Sequence, residues 1–570
     1  MRSRAALAFA FLAGCASQGA GLAGDSGGAG GAPPASAPGG GGVSFGGAQD
    51  IGDFRAILDR GELPGPDTLD ANGFFNEHFN APAPAACGNL LCITPGLSVG
   101  RDWLTGAHQA TLQIAVESTL DPATIKRLPL RLVVVVDHSG SMASDGRLSK
   151  VQVGLHTMID HLQEGDQVAL VEFDDQVDVA TQFTTDHAKL HTIVDELTPR
   201  GGTDIFAGLQ AGFALLGDEP SSTTQNRVIF LSDGLASSGD TSPTDILAMA
   251  EGHVARGVGL TTVGVGNEFD IHLMRGLAER GAGNFYFLED ATAATEVFTE
   301  ELDYFVQPIA LDVQIDTTAG PGYRLGESVG STLWQAQDDA QRGALLIPAV
   351  FAASRTTQSG GLGRRGGGSM IFIAMTPTTG NTGRVADITL SYRQPGATAR
   401  TVQHVALDYA SDPNETPEQP YLSSPQMAER YAMYNMFLGL RAATRSYDPS
   451  CAIQILQATR SHGSTWNASH EDPDLAADLE LVDKYLGNLT AHPVVGTYPD
   501  GTAAPSAPPA LGTCVADGTP PPDHGQGPEP TPIDPDTHDV VGCSAGGASG
   551  GLPVLIAAIA AIPLRRRRRF

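Results

Sequence analysis

Five consecutive apolar residues, Leu132 to Val136, run directly into Asp137-His138-Ser139-Gly140-Ser141-Met142. A run that short does not make a stable helix, and one so uniformly apolar does not suit a strand with a wet face. It reads as a central strand covered on both sides, so the fold must supply helices to two faces of a sheet. Asp137, Ser139 and Ser141 then stand at alternate positions on a glycine-containing loop. That loop leaves the carboxyl end of the strand, the edge where open α/β sheets place their ligands. One carboxylate and two hydroxyls at that spacing offer oxygen donors to a small hard cation.

The surrounding pattern alternates. Val151 to Leu162 has apolar residues at helical spacing, Val168 to Phe173 reads as a strand, and Thr185 to Leu197 and Ile205 to Leu216 as helices. Strands Val228 to Ser232 and Thr261 to Val265 follow, separated by a helix from Pro243 to Ala255, and Ala291 to Phe305 closes the unit as a helix. Strand, crossover helix and parallel strand, repeated, give an α/β, doubly wound, mostly parallel sheet over residues 128–306.

Within that unit, Gly201-Gly202-Thr203-Asp204 opens a helix, and Leu231-Ser232-Asp233-Gly234 ends a second buried strand in an acidic loop. Together with Asp137, Ser139 and Ser141, these segments resemble the metal-ion-dependent adhesion site of the von Willebrand factor type A family, which includes the inserted domains of integrins. The resemblance implies a Rossmann-like domain in which Asp137, Ser139 and Ser141 of a first loop, Thr203 of a second and Asp233 of a third hold Mg²⁺, or alternatively Mn²⁺ or Ca²⁺. It also implies a coordination position left open for an acidic side chain of a protein partner. The chemistry of the donors agrees, because only two protein carboxylates would neutralise the ion and leave it able to attract a third. His138 reads as loop filler, since hard Mg²⁺ does not favour imidazole.

Other motifs carry less. Gly24-Asp25-Ser26-Gly27-Gly28 mimics a serine protease nucleophile and Gly547 to Gly551 a nucleophile elbow, but neither has a scaffold to hold a triad. Gly264-Val265-Gly266 lacks a third glycine at dinucleotide spacing. His187 and His191, one turn apart on a helix, read as a solvated face, and Asp174, Asp175 and Asp178 as an acidic surface turn.

The ends of the chain indicate export. Residues 1–15 combine Arg2 and Arg4, an apolar run and Leu12-Ala13-Gly14-Cys15, the layout of a secretory signal. The last four resemble a bacterial lipobox, which implies lipidation of Cys15, and Ala16 after it points to the outer membrane. Residues 542–570 carry Gly542-Cys543-Ser544, an apolar stretch from Leu552 to Leu564 and an arginine cluster. The stretch is short against the roughly 20 residues of a bilayer span, and the arginines act as a cytoplasmic stop. The pattern resembles the myxobacterial C-terminal sorting tail, with Cys543 in its motif. Membrane attachment through the lipid, the tail or both is implied.

Between the ends, residues 16–48 are poor in anything to bury and read as a flexible tether, and 491–541 as a proline-rich acidic spacer. Residues 49–127 form an N-terminal extension of helices followed by a strand at Leu112 to Val116. Its Phe54 to Leu58 and Gly61-Glu62-Leu63-Pro64 resemble the extension of a bacterial subfamily of these proteins. After residue 307 the period changes to two: Ile309, Leu311, Val313 and Ile315 alternate with smaller or polar residues, and similar runs recur to residue 412 as an antiparallel β-sandwich. The simplest arrangement inserts the parallel-sheet domain between strands of that sandwich. Gly360 to Gly368, with Arg364 and Arg365, reads as a mobile hairpin tip. Residues 413–490 form a small helical region, in which Met427, Tyr431, Tyr434, Phe437 and Leu438 share a core face. Four further cysteines admit three pairings, of which Cys87 with Cys92 and Cys451 with Cys514 are preferred.

A formal net charge of −30 argues against nucleic acid as a partner. The sequence thus reads as a non-enzymatic, surface-anchored adhesion or scaffolding protein that binds a partner's carboxylate through a divalent ion. Two alternatives are a structural or assembly component of the cell envelope with a stabilising metal, and a metal-dependent hydrolase. No catalytic constellation accompanies the latter.

Overall fold

The computed structural model describes residues 41–79, 87–120, 127–217, 223–266, 269–288, 290–300, 302, 307–337, 340–353, 365–377, 382–412, 419–446, 448–491 and 511–515. Its first residues belong to two sheets at once. Strand β1 (Gly41–Ser44) pairs antiparallel with two strands of an antiparallel assembly, and β2 (Gly47–Ala48) pairs parallel with the edge of a different sheet. Val43, Phe45 and Ala48 are buried, so the last part of the expected tether is core structure. The turn between the strands needs glycine: Gly46 has φ +76, and a Cβ there would lie 2.5 Å from the Gly283 carbonyl oxygen.

Helices α1 (Gly52–Asp59) and α2 (Ala71–Asn76) follow, then β3 (Leu91–Arg101) and β4 (His108–Ser118). The chain next builds the parallel-sheet domain. Its elements are β5 (Leu130–Asp137), α3 (Arg147–Asp160), β6 (Gln167–Phe173), β7 (Val177–Thr184), α4 (His187–Glu196) and α5 (Ile205–Leu216). They continue with β8 (Gln225–Ser232), α6 (Pro243–Val254), β9 (Gly259–Val265), α7 (Ile271–Arg280), β10 (Asn284–Leu288) and α8 (Ala291–Glu300). The strand order is β2-β10-β9-β8-β5-β6-β7, parallel except for the edge strand β7. Alternate residues of β5 face opposite cores. Leu132, Val134 and Val136 pack with α3, α4 and α8, whereas Val133 and Val135 pack with α5, α6 and α7. This two-sided burial is the reason Leu132 to Val136 is apolar throughout.

The antiparallel assembly completes itself after this domain. It adds β11 (Ala310–Ala319), β12 (Tyr323–Val329), β13 (Trp334–Gln337), β14 (Arg342–Ala352), β15 (Ile371–Pro377), β16 (Gly383–Arg393), β17 (Arg400–Tyr409) and β18 (Tyr421–Leu422). One layer runs β12-β15-β4-β3-β18 and the other β13-β14-β11-β16-β17, with β1 bridging β4 to β14. Leu112 and Ile114 of β4 meet Val313, Ile315 and Ile388 in one shared core. Because β4 precedes the parallel-sheet domain and pairs with β15 beyond it, that domain sits as an insertion within the sandwich.

Helices α9 (Gln426–Thr444), α10 (Pro449–His470), α11 (Pro473–Ala491) and α12 (Leu511–Val515) follow, the last elements among the described residues. They pack with α1 and α2 on the outer face of the β3–β4–β15 layer, where Phe54, Phe75, Phe372, Phe437 and Tyr485 share a core. Cys87 is bonded to Cys92, and Cys451 to Cys514, the second bond tying α12 to α10. Of the stretch Gly360 to Gly368, residues 360–364 lie outside the described residues, and the remainder is not a mobile tip. Arg365 Nε donates to Asp50 Oδ2 at 2.6 Å, and Gly367 N donates to the Asn76 carbonyl at 2.6 Å, so residues 365–367 are held in place, Gly367 against α2. The signal segment with Cys15 and the tail with Cys543 lie outside the described residues. Among the described residues no helix is long and apolar enough to cross a membrane.

Beneath α9 the seam between the two ends of the chain is acidic. His78 contacts Asp478 at 2.6 Å with both side chains buried, and Glu429 lies near His78, Arg430, Asp472 and Asp474. Burial, reinforced by Asp472, pushes the Glu429 carboxyl from an ordinary 4.5 up to about 7. A carboxyl raised in the folded state holds its proton more tightly there, so its contribution is present at low pH and is lost as pH rises from about 4.5 through about 7. Glu429→Gln is therefore expected to raise the melting temperature at pH 8 and leave it nearly unchanged at pH 4.5, measured by thermal scans across that range.

Candidate metal centre

Strand β5 has β8 on one side and β6 on the other, so consecutive crossovers leave the sheet in opposite directions and open a crevice at its carboxyl edge. Asp137 ends β5, and Asp233 follows directly on β8. Both carboxylates are fully buried. Ser139 and Ser141 lie at the start of a 3₁₀ segment, Gly140–Gly146, that leads into α3. Thr203 immediately precedes Asp204, whose Oδ1 accepts from Ala207 N at 2.9 Å and caps α5. Regular elements thus anchor each of the loops.

The oxygens converge. Ser139 Oγ and Ser141 Oγ are 3.0 Å apart, and Ser141 Oγ donates to Asp233 Oδ1 at 2.7 Å. A Cβ on Gly234 would lie 3.4 Å from Thr203 Oγ1 and 3.8 Å from Ser141 Oγ, which brings the second loop to the same point. Asp137 accepts from Ser139 N at 2.8 Å and from Ser232 Oγ at 2.5 Å. Burial pushes its carboxyl up to about 6; those hydrogen bonds oppose the rise and the charge of Asp233 adds to it. Asp137, Ser139, Ser141, Thr203 and Asp233, distant in sequence, therefore share one site.

Backbone bonds lock the loops together. Gly140 N donates to the Gly201 carbonyl at 3.1 Å and Arg200 N to the His138 carbonyl at 2.7 Å. Gly201 has φ +67, and a Cβ there would lie 2.8 Å from Asp174 Oδ2, so glycine is required. Asp174 is accordingly not surface decoration. It is buried, accepts from Arg200 Nε at 2.7 Å and from Gln176 N at 2.6 Å, and its carbonyl accepts from Asp204 N at 2.7 Å. His138 is buried between Glu172 and Asp174, 3.8 and 3.7 Å away. Burial and the Arg200 charge hold its imidazole below its ordinary value.

Two participants are not evident in the sequence. Ser232 sits inside the Leu231-Ser232-Asp233 segment, but only the fold shows it bonding to Asp137. Arg147, the first residue of α3, places Nη1 2.8 Å from Asp233 Oδ2 in a fully buried ion pair. Nothing in its sequence position marks it.

The donor set fits a hard divalent cation. It consists of hydroxyls and two carboxylates, with no thiolate and no imidazole directed into it. Among the described residues no group of three or more His, Cys, Asp or Glu is arranged to hold a metal, and the two carboxylates gathered at this crevice are accompanied by the hydroxyls of Ser139 and Ser141.

A doubly wound sheet with hydroxyl and carboxylate oxygens gathered at its switch point defines an α/β domain whose crevice is lined by oxygen donors. Residues 132–235 match the family profile of the von Willebrand factor type A domain, and the chain contains such a domain. Similar proteins include the uncharacterized protein YfbK of Escherichia coli (strain K12), 28% identical over 287 residues, covering 47% of this chain and 48% of that one. Inter-alpha-trypsin inhibitor heavy chain H3 of Mesocricetus auratus is 25% identical over 210 residues, covering 34% of this chain and 23% of that one. The chain thus spans less than half the length of either relative. Among solved structures, a von Willebrand factor type A protein from Catenulispora acidiphila aligns with a TM-score of 0.44 at 16% identity, covering 74% of this chain and 94% of that one.

Removing the cation of a buried ion pair typically costs about 3–5 kcal/mol, because the remaining charge is left uncompensated. Arg147→Met is expected to destabilise the protein by that order in chelator-treated buffer, measured by denaturant unfolding.

Proposed function

We propose that this protein is a non-enzymatic adhesion or scaffolding protein whose A-type domain binds an acidic side chain of a protein partner through a divalent cation. Asp137, Ser139, Ser141, Thr203 and Asp233 would hold the ion, Mg²⁺ in the first instance or Mn²⁺ or Ca²⁺. The observation that carries this reading is the convergence of those oxygens at the switch point with only two carboxylates among them. A bound Mg²⁺ supplies one coordination position that a partner's carboxylate can fill.

The chain's own residues account for the rest. Ser232 and the Ser139 amide fix the Asp137 carboxylate, Arg147 fixes Asp233, and the Gly201 bond holds the second loop against the first. Leu235, two residues beyond Asp233, is 58% exposed and offers an apolar contact at the rim. Hydroxyl-rich ligation suits binding a carboxylate better than activating water. The inter-alpha-trypsin inhibitor heavy chains among its relatives are in keeping with an interaction role. The signal-like start with Cys15 and the sorting-type tail with Cys543 support export to the cell envelope, at the outer membrane or cell surface, with a membrane anchor at one end or both.

A second reading is a structural component of the envelope in which the site only stabilises the domain. The Arg147–Asp233 pair favours it, because this pair neutralises one carboxylate without any ion. Calorimetry of the full chain with Mg²⁺ and Mn²⁺ tests the first reading. One ion is expected to bind, and Asp137→Ala/Ser139→Ala should abolish the heat. Absence of binding in the parent protein would overturn the metal-centred role.

A further inference from the structure

The structure assigns a second cation site, on the outer face of the A-type domain, to a histidine pair that sequence spacing does not single out. The feature that carries it is a reciprocal contact between α3 and α4. His156 and Asp160 stand one turn apart on α3, and His191 and Asp195 one turn apart on α4. Each histidine bonds across to the other helix's carboxylate: His156 Nε2 to Asp195 Oδ1 at 3.0 Å, and His191 Nε2 to Asp160 Oδ1 at 3.1 Å. The two Nδ1 atoms face each other at 2.6 Å, with ring centroids 4.9 Å apart and planes at 21°. His191 therefore works with His156 rather than with His187, its neighbour one turn back.

Hydrogen-bond arithmetic fixes what this arrangement needs. An ionised carboxylate only accepts, so both Nε2 atoms carry hydrogen, and both Nδ1 atoms direct lone pairs into the same gap. Two lone pairs at that distance repel unless a cation lies between them. The occupant is either a proton, shared as N–H···N, or a metal ion. An imidazole whose far nitrogen donates to a carboxylate is also the usual support of a metal-ligating histidine, since the carboxylate fixes the tautomer and raises the ring's basicity.

We propose that His156 and His191 bind an imidazole-preferring divalent ion such as Zn²⁺ through Nδ1, with water completing the coordination. Two nitrogens on one tetrahedral Zn²⁺ stand about 3.3 Å apart, from Zn–N bonds of about 2.0–2.1 Å, so the two Nδ1 atoms must move apart by about 0.7 Å and the rings turn to converge on the ion. The side chains are 31% and 30% exposed, which leaves room for that and for entry of the ion. In the exchange the metal takes the place of the shared proton: the hydrated ion gives up water ligands as two Zn–N bonds form, one N–H bond breaks, and the displaced waters and the proton leave to solvent. Helix α3 follows the loop bearing Ser139 and Ser141, and α4 precedes the loop bearing Thr203, so an ion here would staple the two helices behind those loops. The inference rests on this pair alone and is independent of what the adhesion-type site binds.

The test is Zn²⁺ calorimetry on the full chain without a polyhistidine tag, in the Asp137→Ala/Ser139→Ala background that silences the first site. Two buffers of different protonation enthalpy are used. One Zn²⁺ is expected, with release of close to one proton per ion. His156→Ala/His191→Ala should remove it, and Asp195→Asn should weaken it by about 10- to 100-fold, the usual effect of losing a supporting carboxylate. A Cu²⁺ electron paramagnetic resonance spectrum should show two nitrogen ligands in the parent and lose them in the histidine variant. Zn²⁺ binding unchanged in folded histidine and Asp195 variants, or absent from the parent, would overturn the proposal and leave the pair as a shared-proton hydrogen bond.

Discussion

The structure depends on placing two carboxylates, Asp137 and Asp233, at the ends of adjacent, fully buried strands. Burying a charge without compensation is among the costliest things a fold can do. Here the compensation is local and specific: a backbone amide and the Ser232 hydroxyl for Asp137, the Ser141 hydroxyl and the Arg147 guanidinium for Asp233. The strands that carry them can be apolar on both faces because helices cover both. The site and the hydrophobic pattern that announces it are therefore two consequences of one strand position, the switch point between β5 and its neighbours.

The same logic extends outward to how the domain is held. It is an insertion, entered after β4 and left before β11, and an insertion held only by its entry and exit could swing freely. The segment Gly41 to Ala48 ties it elsewhere, because β1 pairs with β4 and β14 of the sandwich while β2 extends the parallel sheet beside β10. Gln49 reinforces the junction by donating to Asn284 Oδ1 at 3.0 Å. Helices from the two ends of the described chain then close over the sandwich, with Phe54 against Tyr485 and His78 against Asp478.

Much of this was legible in the residues. The uninterrupted run at Leu132 to Val136 and the alternation downstream of it specify a doubly wound sheet, and the period of two after Ile309 specifies the antiparallel layers. Asp137, Ser139, Ser141, Thr203 and Asp233 are separated in sequence but converge because each stands where a regular element of the parallel-sheet domain begins or ends. What escaped reading is tertiary. Residues 41–48 are glycine-rich and look like tether, yet Val43 and Phe45 gain partners from strands hundreds of residues away. Asp174 looks like surface because its burial depends on Gly201 and Arg200 folding back over it. Strand β7 is an edge strand with weak alternation, and β3 carries glycines at Gly96 and Gly100 that break its pattern but admit Met427 and Tyr431. The reciprocal His-x-x-x-Asp pairs at 156–160 and 191–195 are visible as a repeat once α3 and α4 are known to be neighbours, and have no meaning before that.

The oxygens gathered at the ends of β5 and β8 are proposed to form a cation site. Anomalous diffraction from crystals grown with Mn²⁺ tests it most directly, because the signal locates the ion without reference to any function. The account predicts a peak within bonding distance of Ser139 Oγ and Ser141 Oγ, beside Thr203 and Asp233. A fully occupied peak elsewhere, with those hydroxyls still bonded to one another and to Asp233, would contradict it.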